Sequence, residues 1–218
     1  MERAAQQICQ ALFDELRTDD PQTPGCALVR CYKTHRLGTL DPELQAIARR
    51  ALGDVQVNSA TRCLVLIGSA GVDPAWNSRK DSRGHRVIPL ASKDMVGRAP
   101  MIAQLFAQLG VPIEDVIAPS PEVVRELAGR SYGVFHVENA VGSWAIPAQD
   151  DFVVRYGVKS VVGFGGALAN GDLFSVIVFA RVHVGSRVAE RFRSLAVDVK
   201  GNFFRFSETD VFDRWGVP

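Results

Sequence analysis

A loop rich in basic side chains, residues 70–89, offers the most suggestive chemistry in the sequence. Guanidinium groups bind phosphate and carboxylate oxygens through paired hydrogen bonds, and Trp76 could stack on a flat or charged ligand. The pattern indicates that the loop folds over an anionic or nucleotide-like ligand. Asp73 and Asp81 dilute the positive charge, so a solvated loop without a ligand is the alternative. The basic residues concerned are Arg79, Lys80, Arg83, His85 and Arg86.

Two polar residues on a probable strand form a second candidate site. His136 and Glu138 are two positions apart in YGVFHVEN (132–139), and such residues point to the same side of a strand. They could line a pocket, and a metal would need a third ligand, for which His85 is the candidate. A hydrogen-bonded structural histidine is the alternative, and the sequence favours no metal. Haem is not favoured either, because a CxxCH motif is absent.

Trp144 lies in GSWAIP, where Gly142 and Pro147 break any regular pattern. A tryptophan in such a loop can close a pocket, because it has a large apolar area and one hydrogen-bond donor. It can equally anchor the loop on the core. The sequence therefore predicts a ligand site whose side chains stack on the ligand, grip an anion and form hydrogen bonds: Trp76, Arg79, His85, His136, Glu138 and Trp144.

No residue is predicted to be catalytic. The glycine-rich VVGFGGAL is neither a P-loop nor a dinucleotide-binding fingerprint, and its glycines favour close backbone approach within a sheet. The cysteines form no CxxC pair, and Cys63 lies in an apolar run that should leave its thiol inert. We expect reduced structural thiols at Cys9, Cys26, Cys31 and Cys63.

The composition is that of an ordinary globular protein. The 218 residues are 47% hydrophobic and 22% charged, with a formal net charge of +1. A nucleic-acid-binding domain would normally be strongly basic, so we expect no nucleic-acid partner. The charged N-terminal segment is unlike a signal peptide, and no apolar run approaches the roughly 20 residues that span a bilayer. We expect a cytoplasmic protein that does not enter a membrane.

The periodicities predict an α+β fold in which a central mixed or antiparallel sheet is covered on one face by the N-terminal and C-terminal helices. Asn170-Gly171 predicts the turn of a hairpin. We expect a single domain over 1–218, with an insertion at 70–130 and a tail at 201–218. The helices are predicted at 2–17, 41–53, 92–110 with an interruption at Pro100, 120–129 and 185–201; the strands are predicted at 26–35, 61–69, 132–139, 159–168 and 172–182.

The C-terminal third resembles a GAF domain, the small-molecule-binding module of many bacterial signalling proteins. YGVKSVVGFGG, GDLFSVIVFAR and VAERFRSLAVDVK carry the resemblance: a lead-in helix, a strand, a turn with glycine, a second strand and a closing helix with an aromatic residue, here Phe192. The resemblance covers about residues 130–200, whereas 70–130 looks divergent. Gly201 is expected to end the closing helix, which in sensor kinases usually continues into an output domain.

The resemblance implies a non-catalytic sensory module that binds an unidentified small molecule, forms a homodimer through its terminal helices and signals to an output partner or fused domain. It names no cofactor. The pocket is expected on the sheet face opposite the terminal helices, under the 70–89 loop, the 92–110 helices and the 139–150 segment. Two alternatives stay open: a cysteine-dependent enzyme similar to the GAF-fold reductases of free methionine sulfoxide, and an interaction module without a ligand.

Overall fold

The computed structural model describes residues 1–82, 84–120, 122–123, 126, 133–204, 206 and 211–212. Three predicted features fall outside the described residues. They are most of the predicted 120–129 helix, Arg83, and the first residue of the predicted 132–139 strand. Within the described part of the chain, no helix is long and apolar enough to cross a bilayer.

The sheet has six strands and is antiparallel at every described pairing. Its order is β3-β2-β1-β6-β5-β4, so the predicted mixed or antiparallel sheet is antiparallel. The strands are β1 (Cys26–Arg36), β2 (Arg62–Gly71), β3 (Val87–Pro89), β4 (Gly133–Val137), β5 (Ser160–Ala167) and β6 (Leu173–Ala180).

The helices begin and end largely where the capping signals indicate. The Asp41 side chain accepts a hydrogen bond from the Leu44 amide (2.8 Å), Pro42 occupies the first turn, and Gly53 has φ 58°. The predicted 92–110 helix is divided before Pro100, whose ring disfavours helical backbone in the preceding residue. The helices are α1 (Glu2–Glu15), α2 (Pro42–Leu52), α3 (Lys93–Gly97), α4 (Pro100–Gln108), α5 (Ile113–Ile117), α6 (Ser186–Ala189) and α7 (Arg193–Phe203).

Three features of the chain differ from the predicted boundaries. β3 lies within the predicted 70–89 loop. The sequence does not predict it, because a strand of three residues is too short to show an alternation of apolar and polar side chains. The closing helix is split into α6, a 3-10 turn at Glu190–Phe192, and α7. It passes Gly201 and ends at Phe203, since one glycine costs a helix only about 1 kcal/mol.

The terminal helices cover one face of the sheet, as predicted. Side chains of α1 and α7 pack with alternate residues of β1 and β6, such as Val29 and Val178. The intervening residues, such as Leu28 and Ile177, belong to a separate core with α4 and β4. Because side chains alternate between the two faces of a strand, the sheet separates the terminal helices from the core that packs with α3, α4 and α5.

Candidate functional site

A cavity of about 370 Å³ lies on the sheet face opposite the terminal helices. We call it the face cavity. Leu28 and Tyr32 of β1, with Ile177 and Phe179 of β6, form its floor. The cover comes from three segments of the chain: the loop between β2 and β3, the start of α4, and the 145–148 segment. The covering residues include Trp76, Met101, Ile146 and Ala148, and Ile88 of β3 lines the cavity from the sheet.

Aromatic rings form one wall of the face cavity. The Trp76 ring lies 4.5 Å from that of Tyr156 and 5.7 Å from that of Phe152, and Phe152 contacts Phe179 edge to face at 4.9 Å, all between centroids. Phe152 belongs to a π-helical turn at Gln149–Val154, a type of turn that is frequent at functional sites. The Tyr156 hydroxyl donates a hydrogen bond to the Asp73 carboxylate, 3.1 Å away, and so joins the aromatic wall to the β2–β3 loop.

The position of Trp76 follows from its local sequence. Asp73 caps a short 3-10 turn by accepting a hydrogen bond from the Ala75 amide (3.0 Å), and Pro74 occupies the first turn. The turn places the Trp76 ring against the end of β2. A Cβ atom at Gly71 would come within 2.8 Å of this ring, so the absence of a side chain there makes room for the tryptophan.

Basic side chains also line the face cavity. Arg30 is 6% exposed; it donates hydrogen bonds to the Ser82 hydroxyl (2.8 Å) and to the Tyr32 hydroxyl (3.2 Å). Arg98 is exposed at the rim. Among the described residues that line this cavity, none is acidic. Arg30 and Arg98 therefore present positive charge, and Tyr32 presents a hydroxyl group, to any molecule in the cavity.

His85 adds a polar group in an unusual backbone conformation. Its φ is 54°, a left-handed value that is uncommon for residues with a side chain and is often found at functional sites. The residue is exposed and lines the cavity. Partial burial, followed by the positive charge of Arg30, lowers the pKa of His85. The imidazole is thus neutral near pH 7 and can donate or accept a hydrogen bond.

Two of the six predicted site residues, Trp76 and His85, line the face cavity. Arg79 does not, although it is in the same loop. It is 6% exposed, pairs with the Glu2 carboxylate of α1 at 2.8 Å, and lies 4.8 Å from the centre of the Phe212 ring. The loop therefore carries Trp76 into the cavity while Arg79 reaches α1.

The other three predicted residues also lie away from the face cavity. Phe135 and Val137 of β4 join the core on the cavity side, so alternation turns His136 to the opposite side, where its Nε2 lies 2.7 Å from the Val184 carbonyl. The structure thus places His136 as the hydrogen-bonded histidine considered as the alternative. The remaining two are at the surface: a Glu138 carboxylate oxygen lies 3.3 Å from Nε2 of His183, and Trp144 is 71% exposed while its neighbours line the cavity.

Sequence reasoning missed the strand residues of the site, Arg30 above all. The available signal was a charged residue in the middle of the apolar run CALVRCY, because an arginine is almost never buried without a partner or a function. Among the described residues, no group of three or more His, Cys, Asp or Glu side chains could hold a metal.

None of the four cysteine thiols lies in an environment that would make it reactive. All four cysteines are buried, and burial raises the pKa of Cys26 and of Cys63 to about 12. Burial likewise raises the pKa of Cys9 and Cys31. Since the thiolate is the nucleophile, these side chains are poorly suited to catalysis at neutral pH.

One short motif has the spacing of a hydrolase nucleophile elbow, GRSYG at residues 129–133. That motif follows a strand and opens a helix, whereas here its last glycine begins β4. Residues 129–132 lie outside the described residues. The order of elements is therefore unlike the one in which this motif acts.

No protein-family model matches the chain, and no curated protein matches it. Among solved structures, the chain is similar to the phycocyanobilin-bound GAF domain from a cyanobacterial phytochrome, with 12% sequence identity over 93% of this chain and 91% of that one. The TM-score is 0.36. The match is to a GAF domain, the family that the sequence resembles, and it covers most of both chains.

Proposed function

We propose that the chain is a non-catalytic sensory module in signal transduction, and that it binds a small planar molecule with an acidic group in the face cavity. The observation that carries the proposal is the cavity itself: aromatic rings and basic side chains in its lining, and a cover formed partly by a loop that also contacts a terminal helix. Fold alone does not assign a function, so the proposal rests on these contacts.

The aromatic wall favours a flat apolar ligand. Trp76 and Phe152 present ring surface, and Met101 and Ile146 add apolar contacts. Binding pockets for small molecules are typically apolar with a few convergent polar groups. Arg30 and Arg98, which also line the cavity, suit a carboxylate or sulfonate, because guanidinium–oxyanion hydrogen bonds are charge-assisted.

The β2–β3 loop links the cavity to α1. The Gln6 side chain donates hydrogen bonds to the backbone carbonyls of Ser69 (2.8 Å) and Asn77 (3.2 Å), and it accepts one from the Ser69 amide (3.1 Å). Together with the Arg79–Glu2 ion pair, these contacts join the loop that covers the ligand to the first helix. A ligand that orders the loop would thereby favour one position of α1, which is a shift of population between two states.

The outer surface of α7 is where we place the readout. Val197 is 53% exposed, and Phe204, seven residues later and next to the helix end, is 76% exposed. Residues seven apart lie on the same side of a helix. This apolar stripe and its neighbour α1 suit the expected homodimer, or an output partner that reads the same surface.

A fluorescent aromatic sulfonate, 8-anilinonaphthalene-1-sulfonate, tests the proposal. We expect saturable binding at one site. Ala148 is exposed at the cavity cover, so Ala148→Phe should fold normally and weaken binding about tenfold or more by filling the space. Arg98→Gln should weaken it about two- to fivefold, the range of an exposed charge pair.

Arg50→Gln is the matched control, because it makes the same charge change on the exposed surface of α2. It should leave binding unchanged. Each variant's thermal unfolding curve is recorded, because this dye also binds loosened proteins. Equal affinity in the native chain and Ala148→Phe, with both folded, would remove the face cavity as the binding site.

A further inference from the structure

A second cavity, of about 830 Å³, lies at one end of the sheet. We call it the end cavity. It is formed where β1 ends and β2 begins, beside the turn between β5 and β6, with Leu90, Ala91 and residues 117–119 on its other side. None of the described residues that line it also lines the face cavity.

Two buried cations share one carboxylate in its wall. The Lys33 and Arg62 side chains are 2% and 8% exposed, and both form ion pairs with Asp172, whose side chain is 14% exposed. Arg62 also donates hydrogen bonds to the Gly171 carbonyl at 3.3 Å. Arg36 lines the same cavity and is exposed. The described lining thus contains three basic side chains, Lys33, Arg36 and Arg62, and one carboxylate.

Asp172 holds the two buried cations at the cavity wall. Burial by itself would raise the pKa of Asp172, but the positive charges of Lys33 and Arg62 outweigh it and hold that pKa below its ordinary value. The carboxylate is therefore ionised at neutral pH and binds both cations through charge-assisted hydrogen bonds. An anion in the cavity would meet these two side chains in the wall and the exposed Arg36 beside them.

Polar and apolar groups around the cations extend the match to an organic anion. His35 is 6% exposed, and its Nε2 has no hydrogen-bond partner among the described residues. Thr39 and Thr61 bring hydroxyl groups to the cavity, whereas Leu90 and Ile117 bring apolar surface. Hydroxyl groups and a neutral imidazole can donate hydrogen bonds to an oxyanion, and the apolar side can contact its carbon skeleton.

We propose that the end cavity binds a small organic oxyanion, a carboxylate or a phosphate ester, through Arg36, Lys33 and Arg62. The site is separate from the face cavity, and neither proposal depends on the other. Asp172 fixes the two buried cations in the wall, and Arg36 at the rim closes on the ligand.

Two probes at constant ionic strength test this site: malonate for carboxylates and inorganic phosphate for phosphate esters. In ¹H–¹⁵N NMR titrations we expect at least one to give saturable shifts of the Thr61, Ala91 and Ile117 amides. The preferred probe identifies the anion class. Arg36→Gln should weaken binding about threefold or more, the scale of an exposed charge pair, and Arg50→Gln should not.

Arg36 is exposed, so its variant is expected to fold, and its NMR spectrum reports directly whether it does. Saturable shifts that depend on Arg36 would establish the site. If neither anion gives saturable shifts around the end cavity, or if Arg36→Gln and Arg50→Gln bind equally well, the cluster is a structural ion-pair network and the proposal is overturned.

Discussion

Asp172 connects three parts of the chain through one carboxylate. It pairs with Lys33 of β1 and Arg62 of β2, while its amide donates a hydrogen bond to the Asn170 side chain (3.0 Å) within the hairpin turn. Gly171 takes the left-handed conformation, with φ 80°, that such turns require. The residues that make the turn therefore also hold the cations of the end cavity.

His35 should make stability depend on pH. Burial, followed by the positive charge of Lys33, lowers its pKa to about 3; Arg62 and Arg79 add to the shift, and Asp172 opposes it. The unfolded chain binds a proton near pH 6.5 and the folded chain does not, so stability is retained above pH 6.5 and lost as pH falls towards 3. His35 alone should contribute a loss of about 1.4 kcal/mol per pH unit in that window.

The measurement is the free energy of unfolding from urea curves between pH 7.5 and 5. We expect the free energy of unfolding of His35→Gln to fall less steeply with decreasing pH than that of the native chain, by about 1.4 kcal/mol per pH unit. His183 is the control, because its side chain is 56% exposed, and His183→Gln should keep the native slope. An unchanged slope in His35→Gln would show that this histidine is not held neutral in the fold.

Glycine within β5 sets how closely the hairpin strands can pair. A Cβ atom at Gly165 would lie 2.2 Å from the Phe174 carbonyl oxygen of β6, and backbone in a paired strand cannot easily move aside. The glycine-rich VVGFGGAL was expected to permit close backbone approach, and Gly165 does so.

We expect Gly165→Ala to destabilise the fold by about 1–3 kcal/mol, the usual cost of overpacking a core. Gly185→Ala is the matched control, because a Cβ atom there meets nothing within 4 Å. Thermal and urea unfolding of both variants provide the comparison. A Gly165→Ala chain as stable as Gly185→Ala would contradict the close approach of the two strands.

At the scale of elements, prediction succeeded where local signals act alone. Asp41, Pro42 and Gly53 mark both ends of α2, and Asn170-Gly171 marks the hairpin. β3 has three residues, and it is a strand only because its backbone pairs with β2, a contact that no local pattern reveals. The π-helical turn that carries Phe152 is equally invisible to a pattern based on a period of 3.6.

The site was harder to predict than the fold because it depends on which way side chains turn. The 70–89 loop was correctly placed over the sheet, yet of its basic residues Arg79 turns to α1 while His85 turns to the cavity. His136 was placed on a strand, and only the position of Phe135 in the core shows which face it occupies. Arg30 needed the sheet order before its place in the cavity could be known.

The whole molecule is organised as two sides of one sheet joined by a loop. The cavity side carries the aromatic and basic lining, and the other side carries α1 and α7. Asn77 and Arg79 contact α1 from the same loop that brings Trp76 to the cavity. If the proposed sensing function holds, ligand binding at one face and readout at the other would be coupled through these few residues.

The central claim, that a planar anion occupies the face cavity, is tested most directly by intermolecular NOEs. The measurement uses methyl-labelled protein with bound 8-anilinonaphthalene-1-sulfonate. We expect NOEs from the dye's ring protons to the methyl groups of Ile88, Met101 and Ile146, which line the face cavity. NOEs confined to other methyl groups, such as those of Val197 on the outer surface of α7, would contradict it.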